Sequence, residues 1–384
     1  MKKKILIISL LLLIWSCNNS KSKYGNDLHI TNIPVDVSAI PCVRLADIFK
    51  KIDLIPLETK KESLLGHIDQ LIYVKDNCYI IRDGDRNVLT FDKDGKFIAN
   101  SVGVRGNGPG EYAIVLSAIY NPFTKMIDIL QPLNKVSSYT VSFHFMNEKK
   151  INYHGKNYGF FHDIFPVSES EYICLYPTIY DEYNTIFFYD FEDEKMVEKI
   201  VFDDIYGYLT QTVNPVKYTD SYYYFTPALT TYTGYSIDIE KRTVDPEVYL
   251  DFGKQKISQR KIKKNDANEK IQNQLLQSRS PIPVANLFNK NYLICRIFMP
   301  EKVEIHTLFC NLITKQKYLI REKTEDNYQI PLFYLLEDTE LYSAIFPYQI
   351  PEYIDPNLLS DEAKNYISKI KDDDNPIIVK YSLK

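Results

Sequence analysis

Short apolar runs that stop abruptly at proline recur along the chain. "IDILQP" begins at Ile127, "YICLYP" at Tyr172, "YYYFTP" at Tyr222, "YLICRIFMP" at Tyr292 and "LYSAIFP" at Leu341, and "YIIRDG" at Tyr79 fills the same slot without the proline. Proline lacks the N–H that a sheet ladder needs, so each run reads as a strand with a fixed end. The starts fall about 45 to 50 residues apart, the length of a four-stranded propeller blade, except for one step of about 70. That step holds a polar, Lys- and Gln-rich stretch from Lys254 to Ser280, most simply a helical insertion of about 25 residues.

Strand counting gives the same period. "IDQLIYVKD", "CYIIRDG", "VLTFDKDG" and "KFIANSVG" make a first blade, "HDIFPVSES" to "KMVEKIVF" a third, and "VANLFNKN" to "KQKYLIRE" a fifth. The sixth has "IPLFYLLED", "LYSAIFP" and "NPIIVKYSLK" and lacks one strand, which "KIDLIPLE" (Lys51 to Glu58) can supply from the other end of the sequence. Such pairing closes the ring and hides its edges. The expected fold is therefore all-β: a six-bladed β-propeller over residues 46–384 with four-stranded blades and one or two short helical insertions. One insertion follows Asp355 and Pro356, with Leu359, Ala363, Tyr366, Ile367 and Ile370 on the face turned to the propeller rim.

Four of the thirteen glycines lie in "VGVRGNGPGEY", Val102 to Tyr112. A phosphate-binding loop would need a Lys and Ser/Thr, or a helix, directly after it; Glu111 and Tyr112 follow instead, and then a hairpin. The stretch reads as the sharp crossing from the outer strand of blade one to the inner strand of blade two, glycines supplying positive φ and Pro109 stiffness. Arg105 and Glu111 are its candidate ligand contacts.

The amino terminus departs from this pattern. Lys2, Lys3 and Lys4 precede an apolar run from Ile5 to Trp15, too short to span a bilayer comfortably and arranged as a secretory signal. Ile14 to Cys17 resembles the lipobox of bacterial lipoproteins, with Cys17 the lipidated residue; ordinary cleavage or an uncleaved anchor are the alternatives. Residues 1–17 are read as signal and lipobox and 18–45 as a flexible tether. The membrane is then a partner through the lipid, in the envelope of a Gram-negative bacterium, at the outer membrane in preference to the inner.

Composition narrows the function. With 46 basic and 50 acidic residues and a formal charge of −4, the chain offers no nucleic-acid surface. The basic run from Lys254 to Lys264 reads as a solvated helix face. Cys78, Cys174, Cys295 and Cys310 sit in apolar runs, as small buried hydrophobes do, and indicate no disulfide framework, a single bridge in an oxidising envelope being the alternative. His154, His162 and Asp163 lack zinc spacing. Asp83 and Asp85, like Asp372 to Asp374, read as turns, and there is no nucleophile elbow. Neither a cofactor nor a catalytic residue is assigned.

Propellers commonly bind at the end of the ring where the loops between second and third strands meet the crossovers between blades. Those loops carry Arg82, Asp83 and Arg86, then Tyr176, Tyr180 and Tyr183, then Tyr232 and Tyr235, then Tyr348 and Tyr353. Tyrosine joins a flat apolar face to a hydroxyl, which suits sugar rings and peptide side chains. The competing reading is that these tyrosines only pack loops.

"IPLET" (Ile55 to Thr59), "TFDKDGKFI" (Thr90 to Ile98), "GNGPGEY" (Gly106 to Tyr112) and "NPIIVKY" (Asn375 to Tyr381) together resemble the six-bladed β-propeller lipoproteins of Gram-negative bacteria, a TolB-like and NHL-like group. The resemblance implies the fold and the tether, and brings no catalytic residue. The expected function is a non-catalytic binding or scaffolding module for a glycan or protein partner. The alternative is a carbohydrate- or lactone-directed hydrolase or lyase with a divalent metal in the central channel.

Overall fold

In the computed structural model the described residues are 30–38, 43–74, 78–153, 161–176, 185–201, 216–219, 222–225, 232–256, 273 and 277–384. They form six antiparallel four-stranded blades around an axis. Blade one is Ile68–Tyr73, Cys78–Asp83, Val88–Asp92 and Phe97–Asn100, and blade two Ser117–Asn121, Met126–Gln131, Lys135–Tyr139 and Phe145–Lys150. Blade three is Asp163–Pro166, Glu171–Tyr176, Thr185–Asp190 and Lys195–Val201, and blade four Val216–Thr219, Tyr222–Phe225, Thr233–Asp238 and Thr243–Asp251. Blade five is Ile282–Phe288, Tyr292–Met299, Glu304–Asn311 and Lys317–Ile320. Blade six takes Phe333–Glu337, Glu340–Ile345 and Ile377–Leu383 from the carboxyl end and Phe49–Pro56 from the amino end. Every proline-terminated run is the second strand of its blade.

Closure follows from register. Ile52 faces Tyr381, Leu54 faces Val379 and Pro56 faces Ile377, antiparallel. Both faces of Ile377–Leu383 are buried, since a blade packs against a neighbour on each side. The core is accordingly divided: among the described residues six apolar clusters fill the six gaps between adjacent blades. Strand periodicity feeds two gaps at once, as in the second strand of blade five, where Leu293, Cys295 and Ile297 turn to blade four and Ile294 to blade six. Cys174, Cys295 and Cys310 are buried and unpaired, and burial pushes the thiols of Cys174 and Cys295 up.

Part of the stretch read as tether is built into the ring. Thr31–Pro34 adds a fifth strand to blade four, parallel to Thr243–Asp251, with Ile33 opposite Leu250. The alternation of Ile33, Val35 and Val37 drives this, all three being buried. The segment then crosses to blade five, where Lys317 Nζ donates to the Pro34 carbonyl at 2.6 Å and Arg321 Nη2 to that of Ser38 at 3.2 Å. It reaches blade six through the one-turn helix Leu45–Ile48. A belt thus crosses three blades before closing the ring.

The rim insertion starts later than its sequence suggests. Asp355 caps only the short 3-10 turn Pro356–Leu358, and the helix proper is Asp361–Ile367, capped by the Ser360 hydroxyl. Leu359 and Ala363 are buried against the outer strand of blade six, where Ser360 N donates to Ile52 O at 3.0 Å. Ile367 and Ile370 pack beside them, whereas Tyr366 is exposed. Most of the Lys254 to Ser280 insertion lies outside the described residues, as do Cys17 and His154.

The glycine-rich stretch does join blade one to blade two, but only Gly110 has positive φ (74°) among its four glycines. Gly106 and Gly108 are required for a different reason: the Glu111 carboxylate folds back over them and accepts the Gly108 N–H at 2.8 Å. Tyr112 is buried behind the turn, its hydroxyl bonded to Ser101 Oγ and its ring edge-on to Tyr139.

Candidate functional site

At one end of the ring lie the starts of the inner strands and the turns between second and third strands. Of the charged residues placed there by the sequence, Arg82 is buried and donates through Nε (2.9 Å) and Nη2 (2.6 Å) to Asp69 on the inner strand of blade one. The others brace loops. Asp83 accepts the Asn87 backbone N–H at 2.7 Å and its side-chain amide at 3.0 Å, the turn expected of "RDGDRN". Arg86, at φ 64°, donates to Val115 O at 3.3 Å. Arg105 reaches Asp85 O and Asn87 Oδ1, both at 3.3 Å, and Glu111 holds its own turn.

The tyrosines divide in the same way. Tyr232 is buried, donates to Pro281 O at 3.1 Å and packs on Phe252; Tyr235 is buried between blades three and four. Tyr180, Tyr183 and the side chain of Tyr176 lie outside the described residues. Tyr348 is 60% exposed and stacks on Phe346, ring centroids 5.6 Å apart and planes 14° apart. Tyr353, half-buried on the same connection of blade six, donates to Gln329 Oε1 at 3.1 Å. Tyr348 and Tyr353 thus share one connection, between the second and third strands of blade six.

The sequence reading passed over Arg296, on the second strand of blade five. Arg296 is the lone charge in the apolar run "YLICRIFMP", and that interruption was the available signal. Its strand turns Ile294 toward blade six, and Arg296 shares that face. Tyr334, on the inner strand of blade six, donates a hydrogen bond to Ile68 O at 3.1 Å. Burial pulls the Arg296 pKa down. Its Nε is fully buried and unpaired, and so are Gln70 Nε2 and Asn286 Oδ1 on inner strands of blades one and five.

Across the axis, Asp163 opens the inner strand of blade three and accepts the Ser117 hydroxyl. Burial raises its pKa, opposed by the nearby charges of His162 and Arg82. Among the described residues no group of three or more His, Cys, Asp or Glu is placed to hold a metal ion. Asp163 and Arg82 are thus each held by a neighbouring strand, while the Tyr348 ring stands open to solvent.

These features define a six-bladed β-propeller. Residues 30–382 match the family described as a domain of unknown function, DUF4934, and the chain belongs to that family. None of the curated proteins compared matches the sequence. A protein of Bacteroides fragilis NCTC 9343, described as exported, is 15% identical with a TM-score of 0.70, over 92% of this chain and 99% of that one. A DUF4221 family member from Bacteroides vulgatus ATCC 8482 is 11% identical with a TM-score of 0.52, over 88% and 99% of the two chains. At these identities the likeness is one of fold.

Proposed function

We propose that this propeller is a lipid-anchored envelope module that binds glycan at its axial end without transforming it. The observation that carries the reading is the pair Tyr348 and Tyr353 at that end, one ring open to solvent and stacked on Phe346, the other held by Gln329. An exposed, preorganised aromatic plane is the usual receiver of the apolar face of a sugar ring. Tether and location rest on the signal-like amino terminus and Cys17, in keeping with the lipoprotein group that the motifs resemble.

The test is a glycan array probed with the full-length mature protein beside its Tyr348→Ala variant. Binding that Tyr348→Ala weakens at least tenfold supports the reading; an array blank for the wild type, or one unaffected by the variant, rejects it. Labelling cells with an alkyne fatty acid examines the anchor, which requires that Cys17→Ala lose the label.

A further inference from the structure

Glu352 is exposed, yet its carboxylate is held in place by a neutral group. Gln329 Nε2 donates to Glu352 Oε2 at 3.0 Å, and the Gln329 backbone N–H donates to the Glu352 carbonyl at 2.8 Å. Tyr353 completes the arrangement by donating to Gln329 Oε1 at 3.1 Å. Gln329 thereby ties the crossover from blade five to blade six to the connection that carries Tyr348. Among the described residues no lysine, arginine or histidine pairs with Glu352. The amide takes up one lone pair of Oε2 and leaves the rest of the carboxylate's accepting capacity free.

Helical geometry sets this carboxylate beside the aromatic plane. The 3-10 turn Pro347–Gln349 runs directly into the helical turn Ile350–Tyr353, so Tyr348 and Glu352 lie four residues apart on one continuous coil. Residues so spaced are surface neighbours, their Cβ atoms about 5–6 Å apart. A sugar stacked on an aromatic ring turns its C–H face to the plane and its hydroxyls to whatever flanks it. A fixed carboxylate there accepts hydroxyls from two adjacent carbons, through charge-assisted bonds stronger than neutral ones. The same charge repels a second carboxylate. We infer that Glu352 is the specificity residue of the glycan site: it accepts two adjacent hydroxyls of a neutral sugar whose ring lies on Tyr348, and it turns acidic sugars away. The inference rests on the glycan-binding reading and names the sugar class.

The experiment probes an array of neutral oligosaccharides, each beside its mono-O-methyl derivative, its uronate counterpart and its amino-sugar counterpart, with wild type, Glu352→Gln and Tyr348→Ala. The inference requires that wild type bind at least one neutral sugar about tenfold or more tighter than the derivative in which one of two adjacent hydroxyls is methylated. Glu352→Gln must lose most of that discrimination and bind uronates relatively better, whereas Tyr348→Ala must weaken every sugar alike. Equal binding of parent and methylated sugars overturns the inference and leaves the glycan reading standing, as does a preference for uronates or for protonated amino sugars. An array blank for the wild type overturns both. Melting curves without ligand add an independent readout. Glu352→Gln should melt as wild type does, because its exposed amide oxygen still accepts from Gln329; a lower melting temperature would mean that Glu352 serves the fold instead.

Discussion

The Glu111 carboxylate occupies the space in which a side chain at Gly106 would begin: a Cβ at 106 would stand 2.1 Å from Glu111 Oε2. Because the obstruction is the free end of a side chain, alanine at 106 can push it aside, and the loss is the bond from Gly108 N–H. Gly106→Ala and Glu111→Ala should therefore each cost about 1–2 kcal/mol, and the double variant no more than either alone. Urea denaturation of the three variants checks this.

Gly95 is the opposite case. Its φ is 76° and a Cβ there would meet the backbone oxygen of Pro56 at 2.1 Å, which cannot swing away because Pro56 belongs to the closing strand. Gly95→Ala should cost about 2–5 kcal/mol, well above Gly106→Ala, in the same denaturation assay.

Asp128 lies in the gap between blades two and three, accepting the hydroxyls of Tyr172 and Ser138 at 2.6 Å each. Burial raises its pKa, with those two hydroxyls opposing. The folded state then binds the proton more tightly than the unfolded one. The stabilisation from this is full below the unfolded value, about 3.9, and is lost as pH rises through the raised folded value. The stability difference between wild type and Asp128→Asn should thus shrink from pH 4 upward, by at most about 1.4 kcal/mol per pH unit. Denaturation midpoints of both proteins across pH 4 to 8 measure it.

Arg82 and Asp69 form a largely buried pair, Arg82 side chain 10% exposed and Asp69 29%. Arg82→Met strands the carboxylate and should cost about 2–3 kcal/mol, less than for a fully buried pair because water still reaches Asp69. Adding Asp69→Leu should recover most of that loss, which the same midpoints report.

The amino-terminal belt can be removed in two steps. Deleting residues through 38 uncovers the outer strand of blade four and the sites of Ile33, Val35 and Val37, so melting should fall by several degrees and aggregation rise. Deleting through Pro56 removes the closing strand as well, and cooperative melting should disappear from the calorimetric trace.

What could be read in advance was local. Proline after an apolar run fixes a strand end whatever surrounds it, so the runs beginning at Ile127, Tyr172, Tyr222, Tyr292 and Leu341 marked the second strand of five blades, and the spacing placed the run at Tyr79 in the sixth. Features set by a neighbour were not legible. Tyr235 and Tyr348 look alike in sequence, yet the first faces blade three and is buried while the second has no blade above it. Thr31–Pro34 resembles linker until Leu250 and its neighbours supply the edge it joins. The role of Glu111 at Gly106 depends on a fold-back that composition does not encode, and the burial of Arg296 Nε without a partner among the described residues emerges only when the blades are assembled.

The pairing of Ile52 with Tyr381 also sets a timetable. As the polypeptide emerges from the ribosome, Phe49–Pro56 is among the first strands made and its partner Ile377–Leu383 among the last, so blade six must wait until synthesis is nearly over. Until then the early strand has an open edge and no partner, and the ring can close only at the end of synthesis.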